Sequence, residues 1–386
     1  MSAMKTTNMP ALDQHNRVSS EELEQIVLTN CRSAMSDPES SFNVPPLMVW
    51  GPPGCGKSTI IKNAAAKLGI KFVDFRLSQR EPVDLKGLPV PNKETNTVEW
   101  FPTSDLPTDQ DSAGILLFDE ISAADRSLQV AAYELILDRR LGNTYTMPKK
   151  WVIIAAGNRT QDRAVATTMS SALANRFMHV EIEPDQESWT KWAQFNGIHP
   201  SVVGFIQYRP DKLFNMKDEN LERGWPSPRA WERVSHILKI YSGAKTEFVR
   251  KLVYGLVGNR AGVEFMEFHA LNQEFDNILE IMTNPKSVIN IPKQPDRKYA
   301  MCSAMNYLLW RGKDEADEKA RITGFFRICI ELPSDFAALA IKAAMNGNDP
   351  TKSDEYCDKL VTHPLYSKWA AKHGSAIGKY NEKVVG

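Results

Sequence analysis

Nine residues, Gly51-Pro52-Pro53-Gly54-Cys55-Gly56-Lys57-Ser58-Thr59, fit the pattern G-x-x-x-x-G-K-[ST]. Glycines at these positions let the backbone turn its N–H groups toward phosphate oxygens, and a following helix N-terminus adds positive potential. Lys57 is then placed to meet β- and γ-phosphates, and Ser58 to reach Mg²⁺. Further on, the run "ILLFDE" carries Asp119 and Glu120 at the end of an apolar segment. In an open α/β sheet, ligands bind beyond the carboxyl ends of the strands, so these acids face the crevice of the phosphate loop. Asp119 reads as the residue that holds Mg²⁺ through water. Glu120 reads as the group that orients and deprotonates an attacking water. Phosphoryl transfer to a small molecule needs no such acid, so Glu120 favours hydrolysis. The competing readings are a Gly/Pro-rich turn that happens to hold a lysine, and an acidic turn at a strand end.

Three more polar residues follow in order. Asn158 closes the apolar run "WVIIAAGN", where its amide can hydrogen-bond a γ-phosphate or a water. Arg176 sits in "SSALANRFMHVEI" just before a strand, and Arg229 in "WPSPRAWERV" near a helix start. Taken singly, the asparagine reads as a turn residue and each arginine as a surface charge. Their order after the loop and the acids carries the weight.

Positioning these groups requires strands that end together. The runs "LMVW", "KFVDFRL", "ILLF", "WVIIAA" and "FMHVEI" are short, apolar and bounded by turn residues, as buried parallel strands are. Helical patterns alternate with them, and Ile60, Ile61, Ala64, Ala65 and Leu68 form a stripe directly after the loop. A three-layer α/β domain with a parallel sheet over residues 46–184 follows. Before it, residues 1–45 are polar, with one amphipathic helix from Ser20 to about Met35 and Ser20 as its cap. After Pro184 the pattern is helical. We divide it into a lid at 185–260 and a helical extension at 261–386, with Asn284–Lys298 as a linker or surface loop.

Composition narrows the function classes. The 386 residues hold 47 basic and 47 acidic side chains, so the broad positive footprint of a nucleic-acid binder is missing. Five dispersed cysteines, Cys31, Cys55, Cys302, Cys329 and Cys357, make neither a disulfide framework nor a zinc pattern. Without an apolar leader or a membrane-length run, the expected location is cytoplasmic. The seven histidines show no paired metal spacing.

The motifs "GPPGCGKST", "ILLFDE", "AAGN", "ALANRF" and "SPRA", in that order, resemble the AAA+ ATPases and within them the MoxR branch, over roughly residues 20–240. The resemblance implies an ATP- and Mg²⁺-dependent hydrolase. Asn158 would be the first sensor, and Arg176 the finger offered to a neighbouring subunit's nucleotide. Arg229 would be the second sensor, reaching from the lid to its own subunit's γ-phosphate. A homo-oligomeric ring, typically a hexamer, is implied as well. So is a client or adaptor protein, often one with a von Willebrand factor A domain. Two hairpin-like segments, "PVDLKGLPVPNKETNTVEWFPTSDLP" and "LDRRLGNTYTMPKKW", also resemble the branch, where they engage partners. Trp100 and Phe101 of the first either pack or stay exposed. Arg159 and Arg163 are further candidates for a subunit interface. Residues 261–386 match no motif and depart from a compact lid. The expected function is therefore a chaperone-type ATPase that remodels or activates a partner protein. The alternatives are a nucleic-acid motor or loader, a nucleotide-gated scaffold without turnover, and a small-molecule kinase.

Overall fold

A computed structural model of the chain describes residues 16–39, 41–94, 96–101, 103–159, 169–216, 224–273, 275 and 277–384. Arg163 and residues 1–15 lie outside the described set. The chain divides into two compact units, Met1–Pro184 and Asp185–Gly386.

The first unit is built on a six-stranded sheet. Its strands are β1 (Arg17–Val18), β2 (Leu47–Trp50), β3 (Lys71–Arg76), β6 (Gly114–Asp119), β9 (Trp151–Gly157) and β10 (Met178–Ile182). Their spatial order is β1-β10-β2-β9-β6-β3, and every pairing is parallel. The period of two along each strand divides the apolar residues between two cores. Leu47, Val49, Ile115 and Leu117 face α1 (Ser20–Ser36) and α2 (Lys57–Leu68). Met48, Leu116, Phe118, Ile153 and Ala155 face the opposite core, to which α3 (Pro82–Lys86) and α4 (Arg126–Asp138) contribute. This is the expected three-layer arrangement, and near-continuous apolar strands are what burial on both faces requires. A short α5 (Ser171–Ala174) precedes β10.

Two details differ from the sequence reading. The cap of α1 is Ser19, not Ser20. Its hydroxyl accepts from Glu22 N at 3.1 Å while the Glu22 carboxylate accepts from Ser19 N at 2.8 Å, a reciprocal capping box that needs glutamate three residues on. The polar N-terminal segment also supplies an edge strand, because Arg17–Val18 pairs with Glu181–Ile182.

Both hairpins are present. Strands β4 (Leu88–Asn92) and β5 (Thr97–Phe101) form an antiparallel ribbon with nearly every residue exposed, including Trp100 at 42 % and Phe101 at 56 %. The smaller hairpin pairs β7 (Arg140–Leu141) with β8 (Tyr145–Thr146), and its Leu141 and Tyr145 are buried.

The second unit is helical: α6 (Gln186–Phe195), α7 (Pro200–Tyr208), α8 (Pro228–Ile240), α9 (Thr246–Gln273, kinked at Gly258), α10 (Ile278–Thr283), α11 (Pro295–Leu309), α12 (Glu315–Glu331), α13 (Ser334–Asn346), α14 (Ser353–Val361) and α15 (Tyr366–Val384). One apolar cluster gathers Phe205, Trp231 and Phe265, and a second gathers Phe325, Phe326 and Trp369. The division expected near residue 260 falls inside α9, close to its kink. The stretch expected as linker or loop is irregular up to Gln294, after which Pro295 opens α11. No helix among the described residues is long and apolar enough to cross a membrane.

Candidate active site

Parallel register brings the candidate residues of the first unit together. Trp50 on β2 pairs with Gly157 on β9, Phe118 on β6 with Ala155, and Arg76 on β3 with Asp119. Four strands therefore end side by side, and the turns after them share one crevice.

The loop Gly51–Gly56 leads straight into α2. Its last glycine is the N-cap, with φ of 98°, a conformation that side chains rarely adopt. No side chain caps the helix, which leaves the first-turn N–H groups free to face an anion. Lys57 is 8 % exposed, and its ammonium donates to Gly51 O at 2.7 Å, Pro52 O at 3.1 Å and Asn158 Oδ1 at 3.1 Å. These acceptors, and Cys55 Sγ at 4.0 Å, are uncharged, so none of them competes with phosphate as an anion. Ser58 Oγ donates to Asp119 Oδ2 at 2.6 Å, placing hydroxyl and carboxylate side by side. Asp119 is also buried, and its Oδ1 accepts from Glu120 N at 2.9 Å.

Glu120 has φ of 58°, an uncommon left-handed backbone for a glutamate. Its carboxylate accepts a hydrogen bond from the Ser78 hydroxyl. Nearby on β3, burial and then the Asp119 charge push the Asp74 carboxyl above its ordinary pKa, while Arg76 pulls it down. Negative charge is thus concentrated opposite the loop, an environment that suits a bound divalent cation.

Asn158 is anchored at its backbone, where its N–H donates to Ser122 Oγ at 3.0 Å. Gly157 makes that contact possible. A Cβ there would lie 2.8 Å from Met48 Cε and 2.9 Å from Ser122 Oγ. Gly157→Ala should therefore displace Ser122, lowering stability by about 1–3 kcal/mol as overpacking does and slowing turnover with it. Thermal melting and phosphate release check this, and a variant unchanged in both would refute the packing argument.

The remaining candidates of the first unit, Arg176 and Arg159, have their described contacts elsewhere. Arg176 follows α5, with its guanidinium carbon 4.7 Å from the centre of the Tyr133 ring and a hydrogen bond to Ala172 O. Those described contacts are local, and none reaches the phosphate loop. Arg159 bonds Glu181 and, at 3.0 Å, Glu183, so it is engaged within its own unit. Arg229 lies in the second unit, exposed in the first turn of α8 behind the Ser227 cap.

Ser78 and Ser122 escaped the sequence reading. Ser122 lies two residues past Glu120 and could have been suspected as a hydroxyl in a strand-end turn. Ser78 carries no signal of its own, since it is 42 residues from Glu120 and only the β3–β6 pairing brings them together.

Residues 46–177 match the family model of the AAA domain, dynein-related subfamily. No curated protein matches the sequence significantly. Among solved structures, the chain is similar to a candidate ATPase from Cytophaga hutchinsonii, with 12 % identity, a TM-score of 0.29, and 62 % of this chain and 88 % of that one covered. It is also similar to NtrX from Brucella abortus (13 %, 0.36, 88 % and 66 %). A third is the RuvB Holliday junction branch migration motor of Thermotoga maritima (14 %, 0.37, 76 % and 87 %).

Proposed function

We propose that this chain, whose residues 46–177 match the AAA-domain family model, is an oligomeric, Mg²⁺-dependent ATPase of the MoxR type that remodels or activates a partner protein. The exposed β4–β5 ribbon carries the partner half of this reading. Leu88, Val90, Val98, Trp100 and Phe101 all stand in solvent. Exposed apolar groups grouped on one element mark an interaction surface more often than a packing element.

In this mechanism the loop amides and the first turn of α2 bind the phosphates, and Lys57 exchanges a carbonyl for a phosphate oxygen. Ser58 and Asp119 would hold Mg²⁺, which when bound neutralises charge on the β- and γ-phosphates. Glu120 accepts a proton from water, with Ser78 setting its carboxylate. Asn158 contacts Lys57 on one side and orients the γ-phosphate or the water on the other. Arg176, engaged with Tyr133 rather than its own loop, serves the neighbouring subunit's site in a ring, as a hexamer would arrange it. Arg229 acts as the second sensor. The resemblance to the MoxR branch implies a von Willebrand factor A domain protein as the class of partner.

Capture of the partner tests this function. With ATP present, Glu120→Gln should retain a client protein that the same variant bearing Trp100→Ser and Phe101→Ser releases. Equal retention by both would remove the ribbon from partner binding. A DNA- or RNA-stimulated ATPase rate that falls with salt would replace the reading with a nucleic-acid motor.

A further inference from the structure

A helix of four residues makes too few internal bonds to fix its own direction, and α5 (Ser171–Ala174) is that short. Arg176 moves with it. Its guanidinium hydrogen-bonds Ala172 O inside α5, and its backbone N–H bonds Leu173 O at 3.2 Å. The Tyr133 ring, 4.7 Å from the guanidinium carbon, supports the side chain from α4 without a hydrogen bond.

From β10, His179 reaches the turn that ends α5. Its Nε2 lies 2.8 Å from Ala174 O, the carbonyl that also accepts from Phe177 N at 3.2 Å. The other ring nitrogen fixes the chemistry of this contact. Trp50 Nε1 approaches His179 Nδ1 to 2.9 Å, and an indole nitrogen can only donate. Nδ1 is therefore the acceptor, the proton of the neutral ring sits on Nε2, and Nε2–H donates to Ala174 O. The two rings are within 7° of parallel, and Phe177 meets the imidazole edge-on with centres 6.2 Å apart.

Register explains why these groups meet. Trp50 is the last residue of β2 and pairs with Glu181 of β10, which sets it diagonally across from His179. The next residue is Gly51, whose carbonyl accepts from Lys57. One line of bonds thus runs from the strand that opens the phosphate loop to the turn that carries Arg176.

We propose that His179 is a positioning residue for Arg176: its Nε2–H holds Ala174 O, and with it the direction of the arginine that a subunit offers to its neighbour. Trp50 keeps the imidazole in the tautomer this needs. The role rests on the reading of Arg176 as a finger. It adds that each subunit aims its finger from the strand that opens its own phosphate loop. Placement of this kind matters because an offset of about 1 Å can cost ~10²-fold in rate.

Asparagine and glutamine separate the two ring nitrogens. His179→Asn puts its amide near the Nδ1 position and leaves Ala174 O without the side-chain donor, whereas His179→Gln puts an NH₂ near Nε2 and restores it. His179→Asn should lower kcat roughly 10- to 100-fold, with KM for ATP and the melting temperature near wild-type values. His179→Gln should recover most of that loss. Mixing then tells which subunit's site the histidine serves. Equimolar His179→Asn and Glu120→Gln should regain phosphate release, because a His179→Asn loop facing a Glu120→Gln neighbour has its acid and a well-aimed arginine. His179→Asn with Arg176→Ala should stay low, since neither supplies that arginine. Trp50→Phe, which removes the donor that fixes the tautomer, should give the same mixing pattern with a smaller loss. A histidine that only supports its own loop gives the reverse pattern, recovery with Arg176→Ala and none with Glu120→Gln. That reverse pattern, wild-type turnover by His179→Asn, or equal losses in the Asn and Gln variants overturns the positioning role. Arg176→Ala mixed with Glu120→Gln is the control: recovery there leaves the finger standing whatever His179 does, and no recovery removes the finger and this role together.

Discussion

Glu120→Gln should retain ATP and stop turning it over, with kcat falling by roughly 10²–10⁴, the usual contribution of a positioned general base. The carboxamide has nearly the shape of the carboxylate and can still accept from Ser78, so the left-handed turn at φ 58° and the Ser78 contact should survive. What is lost is a site basic enough to take the proton from the attacking water. Binding is spared because the groups set to hold phosphate, Lys57, Ser58 and the first-turn amides of α2, are untouched. A fluorescent nucleotide titration reads the affinity and single-turnover phosphate release reads the chemistry. Wild-type release by this variant would remove Glu120 from the reaction and leave it as a turn residue.

Arg176→Ala should cost as much or more, with a turnover loss of about 10³–10⁵ as seen where an arginine stabilises phosphoryl-transfer charge. Its stability cost is small by comparison. The guanidinium stacks on Tyr133, a contact of roughly 0.5–1 kcal/mol, so the fold is expected to persist. Mixing separates a finger given to a neighbour from one used at home. Equimolar Arg176→Ala and Glu120→Gln subunits, each nearly inactive alone, should recover phosphate release. Wherever an Arg176→Ala loop faces a Glu120→Gln neighbour, the site has both its acid and its arginine. No recovery in oligomers shown by sedimentation to contain both variants would mean that Arg176 acts within its own subunit or not at all.

The legible part of the site is the part made by neighbours in sequence. A phosphate loop is one strand, one glycine-rich turn and one helix N-terminus, so "GPPGCGKST" between "LMVW" and an apolar helical stripe carries its own structural context. "ILLFDE" is similar, because a strand buried on both faces must be apolar and its end must turn polar. The ribbon was legible as a hairpin from its turn residues. Whether Trp100 and Phe101 were buried was not, since exposure depends on what the rest of the chain places against them.

The sequence by itself thus determined the parallel α/β class, the glycine-rich loop from strand to helix that carries Lys57 and Ser58, and the acids at a strand end. These follow from local geometry and the period of two. Only the tertiary structure decided that Lys57 meets Asn158 across 101 residues and that Ser78 holds Glu120. Those contacts come from the strand order β10-β2-β9-β6-β3. Non-local pairing of this kind is selected by the burial of whole faces, and no short stretch of residues encodes it.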